Sequence, residues 1–366
     1  MSRWPEFAPG TLAETTHRWL AFSGGPDSVC LLHQLIQLEA SENLTVVHVD
    51  HGLDAQSSQR ARHAVELAQA LGIDCRLERL DRSELDRTGG PEAAARHARY
   101  ARLQSLMSAD DYLLTAHHAD DQIETMLLRL LRGSGARGLS GMQSLRPLKP
   151  GWLARPLLQW SQQHIHDYLQ QHQLTAIDDS TNYDCSLDRN FLRHRVLPLI
   201  AKRWPGYRHS LLQSIELMAA AGRTLEAQAE SDFEQLLHMQ ADEITLEIEP
   251  WLKLEPVYAF EVIRHWCRTT SIEPPPAARL QEFFEQCQSA ATDRQPTLDW
   301  QPASLRRWSD ALWLDRTPKP PANWQLHGML DDKHELDIEL PHDIYRFRYE
   351  QMLAGRVRFR KNGNIT

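Results

Sequence analysis

The sequence Ser23-Gly24-Gly25-Pro26-Asp27-Ser28 stands between a short apolar run at 19–22 and a stretch whose apolar residues, Val29, Leu31, Leu32, Leu35 and Ile36, recur with helical spacing. Adjacent glycines permit a sharp turn and let a ligand approach the main chain. Asp27 or Ser28 is placed to cap the helix that follows. A strand that passes into a helix through such a turn directs unpaired N–H groups and the positive end of the helix dipole at one point, which suits a phosphate. Ser23, Gly24, Gly25, Pro26, Asp27 and Ser28 are therefore the first nucleotide-binding candidates. The Gly-Lys-Ser/Thr ending of the common nucleotide-hydrolase loop is missing.

Further strand-like runs at 45–50, 75–80 and 112–115 alternate with helical patterns at 57–71, 92–107 and 120–131. This order predicts an α/β domain on a doubly wound parallel sheet, with ligands at the carboxyl ends of the strands. The chemistry-bearing segments follow residues 22, 49 and 115, so they converge on one crevice. A first domain is expected over 1–208, with a polar turn at 178–182 and a basic helix from Arg189. A bridging helix over 209–242, apolar on one side and acidic on the other, leads to a mostly helical second domain over 243–320. That domain has a strand at 244–248, helices near 257–269 and 277–288, and strands near 298, 305–308 and 312–314. Pro318, Pro320 and Pro321 mark a linker, and 321–366 reads as a short β-rich piece.

His117, Asp121 and Glu124 are spaced four and three apart, on one helical face that opens at the crevice. Two carboxylates and an imidazole there suit a substrate ammonium or a shared Mg2+. Asp120 answers the helix dipole. Arg96 and Arg99 share a face; the guanidinium fork suits phosphate, on ATP or on an RNA backbone, and helix-surface salt bridges are an equal reading. His48 and Asp50 end the second strand, where adenine and ribose contacts are common, although a core histidine is an equal reading of His48. Arg129, Arg132 and Arg137, in and before the loop 133–141, are placed to approach a bound nucleotide. Arg189, Arg193 and Arg195 fit either an RNA-facing helix or a solvated amphipathic one.

Net charge is −9, which argues against a uniformly basic nucleic-acid binder. The distribution argues otherwise: residues 129–208 carry 12 Arg and Lys against 5 acids, and 216–249 carry 9 acids against Arg223 alone. A basic surface beside an acidic arm can dock RNA through its phosphates. The five cysteines, at 30, 75, 185, 267 and 287, include no Cys-x-x-Cys pair and read as reduced thiols. No apolar run reaches the roughly 20 residues that span a bilayer, and residues 1–14 do not resemble a signal peptide, so the expected location is cytoplasmic.

The turn resembles the Ser-Gly-Gly-x-Asp-Ser PP-loop of the ATP pyrophosphatases, whose fold is the adenine-nucleotide alpha-hydrolase type. Together with His48-Val49-Asp50-His51-Gly52-Leu53, residues 92–100, the Ala-x-His-x-x-Asp-Asp-Gln-x-Glu-Thr helix, Arg132-Gly133-Ser134-Gly135, Arg155-Pro156-Leu157-Leu158 and the Arg-Asn-x-Leu-Arg segment at 189–193, it is similar to the tRNA(Ile)-lysidine synthetases. The resemblance covers 18–210 strongly and the second domain loosely. It implies ATP and Mg2+ as cofactors, lysine and a CAU-anticodon isoleucine tRNA as substrates, and a carbon–nitrogen ligase; a homodimer is compatible with it. Asp27, Asp50, Arg96, His117, Asp121 and Glu124 would be catalytic, with Asp27 and Asp121 on the metal. His48 would join the 23–28 turn at ATP, and Arg129, Arg132, Arg137, Arg189, Arg193 and Arg195 would face the tRNA. Family members usually carry a further β-rich domain. Gly355-Arg356-Val357-Arg358-Phe359-Arg360 resembles its opening, so a shortened C-terminus is expected. The alternatives are a PP-loop thiolase, which needs a cysteine pair, and a catalytically silent tRNA-binding protein.

Overall fold

Leu20 turns to one side of the first strand, β1 (Arg18–Ala21), while Trp19 and Ala21 turn to the other, because successive strand side chains alternate. The computed structural model describes residues 17–38, 43–50, 52, 57–80, 91–177, 183–240, 243–290, 294–316, 335–340 and 343–348. Two units emerge, residues 1–222 and 223–366. After β1 the first contains α1 (Pro26–Gln37), β2 (Leu44–Asp50), α2 (Ser57–Ala70), β3 (Cys75–Arg79), α3 (Pro91–Leu106), β4 (Tyr112–Leu114) and α4 (Ala119–Leu131). It continues with α5 (Ala136–Leu139), β5 (Leu145–Leu148), β6 (Gly151–Ala154), α6 (Gln162–Gln171), α7 (Asp188–Phe191), α8 (Leu197–Arg203) and the first part of α9 (Tyr207–Leu236).

The six strands run in the order β3-β2-β1-β4-β6-β5, parallel throughout except for the β5–β6 hairpin. Leu20, Val46, Leu114 and Ala154 meet Val29, Leu32 and Leu35 of α1, Ala64 and Ala68 of α2, and Ile165 and Leu169 of α6. Val47, Val49, Leu113 and Leu153 pack on the other face with Ala98, Leu103 and Met107. Helices thus cover both faces, as the strand–helix alternation predicts, and the strand order reverses between β1 and β4. That is where an open α/β sheet binds ligands.

The second unit has β7 (Leu237–Gln240), β8 (Glu243–Glu247), α10 (Ile248–Lys253), α11 (Pro256–Thr269), α12 (Ala277–Ser289), β9 (Thr297–Trp300), β10 (Ala303–Trp308) and β11 (Ala311–Arg316). Its antiparallel sheet, β7-β8-β11-β10-β9, shares a core with the helices through Trp251, Trp266, Phe283, Phe284, Leu246, Leu305 and Leu312. The Trp251 indole N–H donates to the Ala259 carbonyl at 3.0 Å, so its one polar atom is satisfied in the core. β12 (Glu335–Leu340) and β13 (Asp343–Arg348) pair antiparallel.

Three local expectations are corrected. The bridging helix expected over 209–242 stops at Leu236, because 237–240 find ladder partners in β8. The β5–β6 hairpin is absent from the sequence expectation, because Pro147 lies inside β5 and a proline within a run argues against a strand. The basic helix from Arg189 is broken by a π turn, Leu192–Val196, before α8. Pro198 lacks the N–H that would close an α turn on His194, which favours the wider turn. The polar turn at 178–182, the prolines at 318–321 and the basic segment 355–360 lie outside the described residues.

Candidate active site

The glycine turn is held by its own hydroxyls. Ser28 Oγ donates to the Gly25 carbonyl at 3.0 Å and lies 3.1 Å from Ser23 Oγ, which accepts from the Gly25 N–H at 3.2 Å. Gly24 has φ +79°, and its carbonyl accepts from Ile177 N–H at 2.9 Å. The N-cap of α1 is Gly25, which has no side chain to cap the first turn. This corrects the capping expected of Asp27 or Ser28: Pro26 begins the helix, so both already lie inside it. The first-turn amides of a helix have no intrahelical partner, and here the N-cap residue offers none.

His118 is the N-cap of α4. Its Nδ1 accepts from Asp120 N–H at 3.2 Å, while its own N–H donates to Asp121 Oδ2 at 3.0 Å. The ring proton therefore sits on Nε2, which lies 3.6 Å from Asp121 Oδ2 and 3.7 Å from Asp27 Oδ2. This histidine, 1% exposed, joins the glycine turn to α4. Sequence reasoning passed over it; its reciprocal His-x-x-Asp capping pattern was the available signal. His117 instead sits 2.9 Å from Thr115 Oγ1. Burial, reinforced by Arg155, Arg96 and Arg189 against the pull of Asp121, pushes its pKa down to about 3.

The acidic face is not open. Arg193 Nε donates to Glu124 Oε1 at 2.6 Å, and its Nη2 reaches Glu124 Oε2 at 3.0 Å and Asp121 Oδ1 at 3.2 Å. Arg189 Nε lies 3.3 Å from Glu124 Oε2, and its Nη2 donates to Thr125 Oγ1 at 2.9 Å. Arg189 and Arg193, expected to face RNA, turn inward, because a buried carboxylate pair without cations would be far costlier. Asp120 does more than answer the dipole: it accepts from Arg208 Nε at 2.7 Å and from Gln162 N–H at 2.9 Å. Three guanidiniums thus meet three carboxylates, Asp120, Asp121 and Glu124, while Asp27 faces the His118 ring. Burial raises the Asp27 carboxyl, with His118 offsetting it only in part. Burial likewise raises Glu124 despite Arg193. Burial opposes ionisation of Asp121 too, but His118, His117 and Arg189 outweigh it and hold its pKa low.

The remaining candidates have varied surroundings. His48 Nδ1 donates to the Phe22 carbonyl at 2.9 Å, tying β2 to the start of the glycine turn, and burial lowers its pKa. Asp50 accepts from the Ser57 hydroxyl and, at 3.0 Å, from Gly52 N–H; against burial, these bonds hold its pKa low. Arg96 and Arg99 lie over the Tyr100 ring, 5.4 and 5.9 Å from its centroid. Arg129 Nη1 donates to the carbonyls of Gly138 and Gly141, both at 2.8 Å, so it shapes the loop from within. Arg132 pairs with Asp188 at 3.6 Å on the surface, and Arg137 and Arg195 are exposed.

The PP-loop domain family matches residues 7–200, and the TilS substrate binding domain matches residues 246–313. A tRNA(Ile)-lysidine synthase of Alkalilimnicola ehrlichii is 39% identical over 85% of this chain and 71% of its own length. Those of Xanthomonas campestris and Legionella pneumophila are 35% and 36% identical, over 93% and 94% of this chain and 78% and 80% of theirs. The chain belongs to the tRNA(Ile)-lysidine synthase family. In this lysidine synthase relative the glycine turn is the PP-loop, and His118 ties it to the carboxylates of α4. The five cysteines are free thiols, with Cys30, Cys267 and Cys287 buried, which does not favour the thiolase reading.

Proposed function

We propose that the chain ligates lysine to carbon 2 of the wobble cytidine of a CAU-anticodon isoleucine tRNA. The O2 oxygen of the cytidine attacks the α-phosphorus of ATP and pyrophosphate leaves. The lysine ε-amine then attacks carbon 2, AMP departs with the oxygen, and the amine gives up a proton. One juxtaposition carries this reading: the PP-loop carboxylate of Asp27 and the α4 carboxylate of Asp121 both lie within 3.7 Å of His118 Nε2. The nucleotide site and the amine site are then neighbours.

The first-turn amides of α1 hold phosphate, and Arg96 or Arg99 offsets charge on the leaving pyrophosphate. The lysine ammonium is assigned to His117, Asp121 and Glu124, where it would compete with Arg189 and Arg193 for the carboxylates. The α4 carboxylates would assist deprotonation of the amine only once it displaces the Arg193 fork from Glu124 and Asp121. Asp27 and Asp121 fit Mg2+, a cation usually held by one or two carboxylates together with substrate phosphates; when bound it would neutralise phosphate charge. The likeness of residues 246–313 to a substrate-binding domain supports tRNA as the partner.

The test is mass analysis of tRNA incubated with protein, ATP and labelled lysine. Lysine on the tRNA with matched AMP and pyrophosphate is expected; AMP release without modified tRNA overturns the reading. Asp121→Ala is expected to abolish lysine incorporation with ATP affinity nearly intact, and unchanged lysidine formation removes that role.

A further inference from the structure

Beside the carboxylate cluster a cleft of about 500 Å3 is lined by Leu127, Ile200, Trp204, Pro205, Tyr207 and Leu211, with Arg203 among its walls. Its lining is mostly apolar, yet Trp204 is 60% exposed. The Arg203 guanidinium lies 5.6 Å from the centre of that ring. The turn carrying the indole is pinned: Trp204 N–H donates to the Ile200 carbonyl at 2.7 Å and its own carbonyl accepts from Tyr207 N–H at 3.0 Å. Lys202, Arg203 and Arg208, all exposed, flank Trp204 and Tyr207 in the chain.

The cleft is also well placed. Leu127 follows Glu124 by three residues on α4, on the same side of the helix. Tyr207 precedes Arg208, whose guanidinium lies 5.0 Å from the Tyr207 ring and whose Nε bonds to Asp120 at 2.7 Å. An apolar slot with an exposed indole on a fixed turn, a stacked guanidinium and nearby cations suits a flat aromatic ring that carries an anion. That is a nucleobase with its phosphate, held by stacking and charge and not by sequence-reading hydrogen bonds.

We infer that this cleft stacks an unpaired base of the tRNA anticodon loop, next to the cytidine that reacts. The inference rests on the proposed tRNA reaction, and gives it a binding site. A cytidine that enters a buried site must leave its stack, which bares a neighbouring base; Trp204 offers that base a new face.

The experiment compares the full chain with Trp204→Ala and Trp204→Phe, using isoleucine tRNA and versions with an abasic site at each anticodon-loop position in turn. Trp204→Ala is expected to weaken tRNA binding about tenfold, with unchanged KM for ATP and unchanged unfolding midpoint, and Trp204→Phe to restore most of the binding. One abasic position is expected to weaken the parent protein by a similar factor and Trp204→Ala no further. Wild-type tRNA binding by Trp204→Ala overturns the inference, as does a loss that adds fully to every abasic change. If the parent protein binds the tRNA through Trp204 in this way but forms no lysidine, the stacking site stands and the reaction falls.

Discussion

Arg193 closes on Glu124 from 69 residues further along the chain, with Nε to Oε1 at 2.6 Å and Nη2 to Oε2 at 3.0 Å. The contact is bidentate, and Glu124 is fully buried. A fork of this kind fixes direction as well as charge, so it sets where the α4 carboxylates point.

Removing Arg193 is therefore expected to leave Glu124 and Asp121 under-compensated. Breaking a buried pair costs about 3–5 kcal/mol. The Arg193 side chain is 26% exposed, so Arg193→Ala should cost about 2 kcal/mol in urea unfolding. Arg193→Lys keeps the charge but not the fork; its stability should be mostly recovered while lysine incorporation stays low. Full activity in the lysine variant would show that geometry is unimportant here.

A methyl group on Gly24 would lie 2.6 Å from Ile177 Cδ1 and would demand φ +79° of a residue with a Cβ. Left-handed backbone costs a side-chain-bearing residue about 1–2 kcal/mol. Gly24→Ala is expected to lower stability by about that much and to raise the Kd for ATP about tenfold or more, measured by calorimetry and equilibrium binding.

His117 is neutral in the folded protein down to a pKa of about 3, while an unfolded histidine titrates near its ordinary value. The folded pKa is the lower one, so the unfolded chain binds the extra proton. This contribution to stability is complete above about pH 6.5 and is lost as pH falls from there toward 3, by at most about 1.4 kcal/mol per pH unit. His117→Asn should flatten the fall in unfolding free energy between pH 7 and 5; an unchanged slope would show that His117 protonates freely.

Arg129 holds the loop 133–141 by two carbonyl contacts. Arg129→Ala should leave the sheet domain folded but speed limited proteolysis within that loop several-fold. Equal cleavage rates would mean that the loop is ordered by other contacts.

Much of the architecture was open to a reader of the chain. The turn at 23–28 and the alternation of strands with helices predict a parallel sheet and the end at which its ligand binds, because backbone geometry and hydrophobic period are local properties. The β5–β6 hairpin and the break at Leu192–Val196 were not open to such a reader. Pro147 inside β5 masks the strand pattern of that hairpin, and a proline changes a helix only in the context of the turns before it.

At the site the same division holds. The spacing of His117, Asp121 and Glu124 on one helical face is written in the sequence, since it needs only 3.6 residues per turn. That Arg189 and Arg193 would turn in to meet those carboxylates, that Arg208 would take Asp120, and that His118 would link Asp27 to Asp121 are decisions of the tertiary structure. They depend on burial, which makes an unpaired charge costly and so selects a partner by proximity in space, a quantity that sequence separation does not contain.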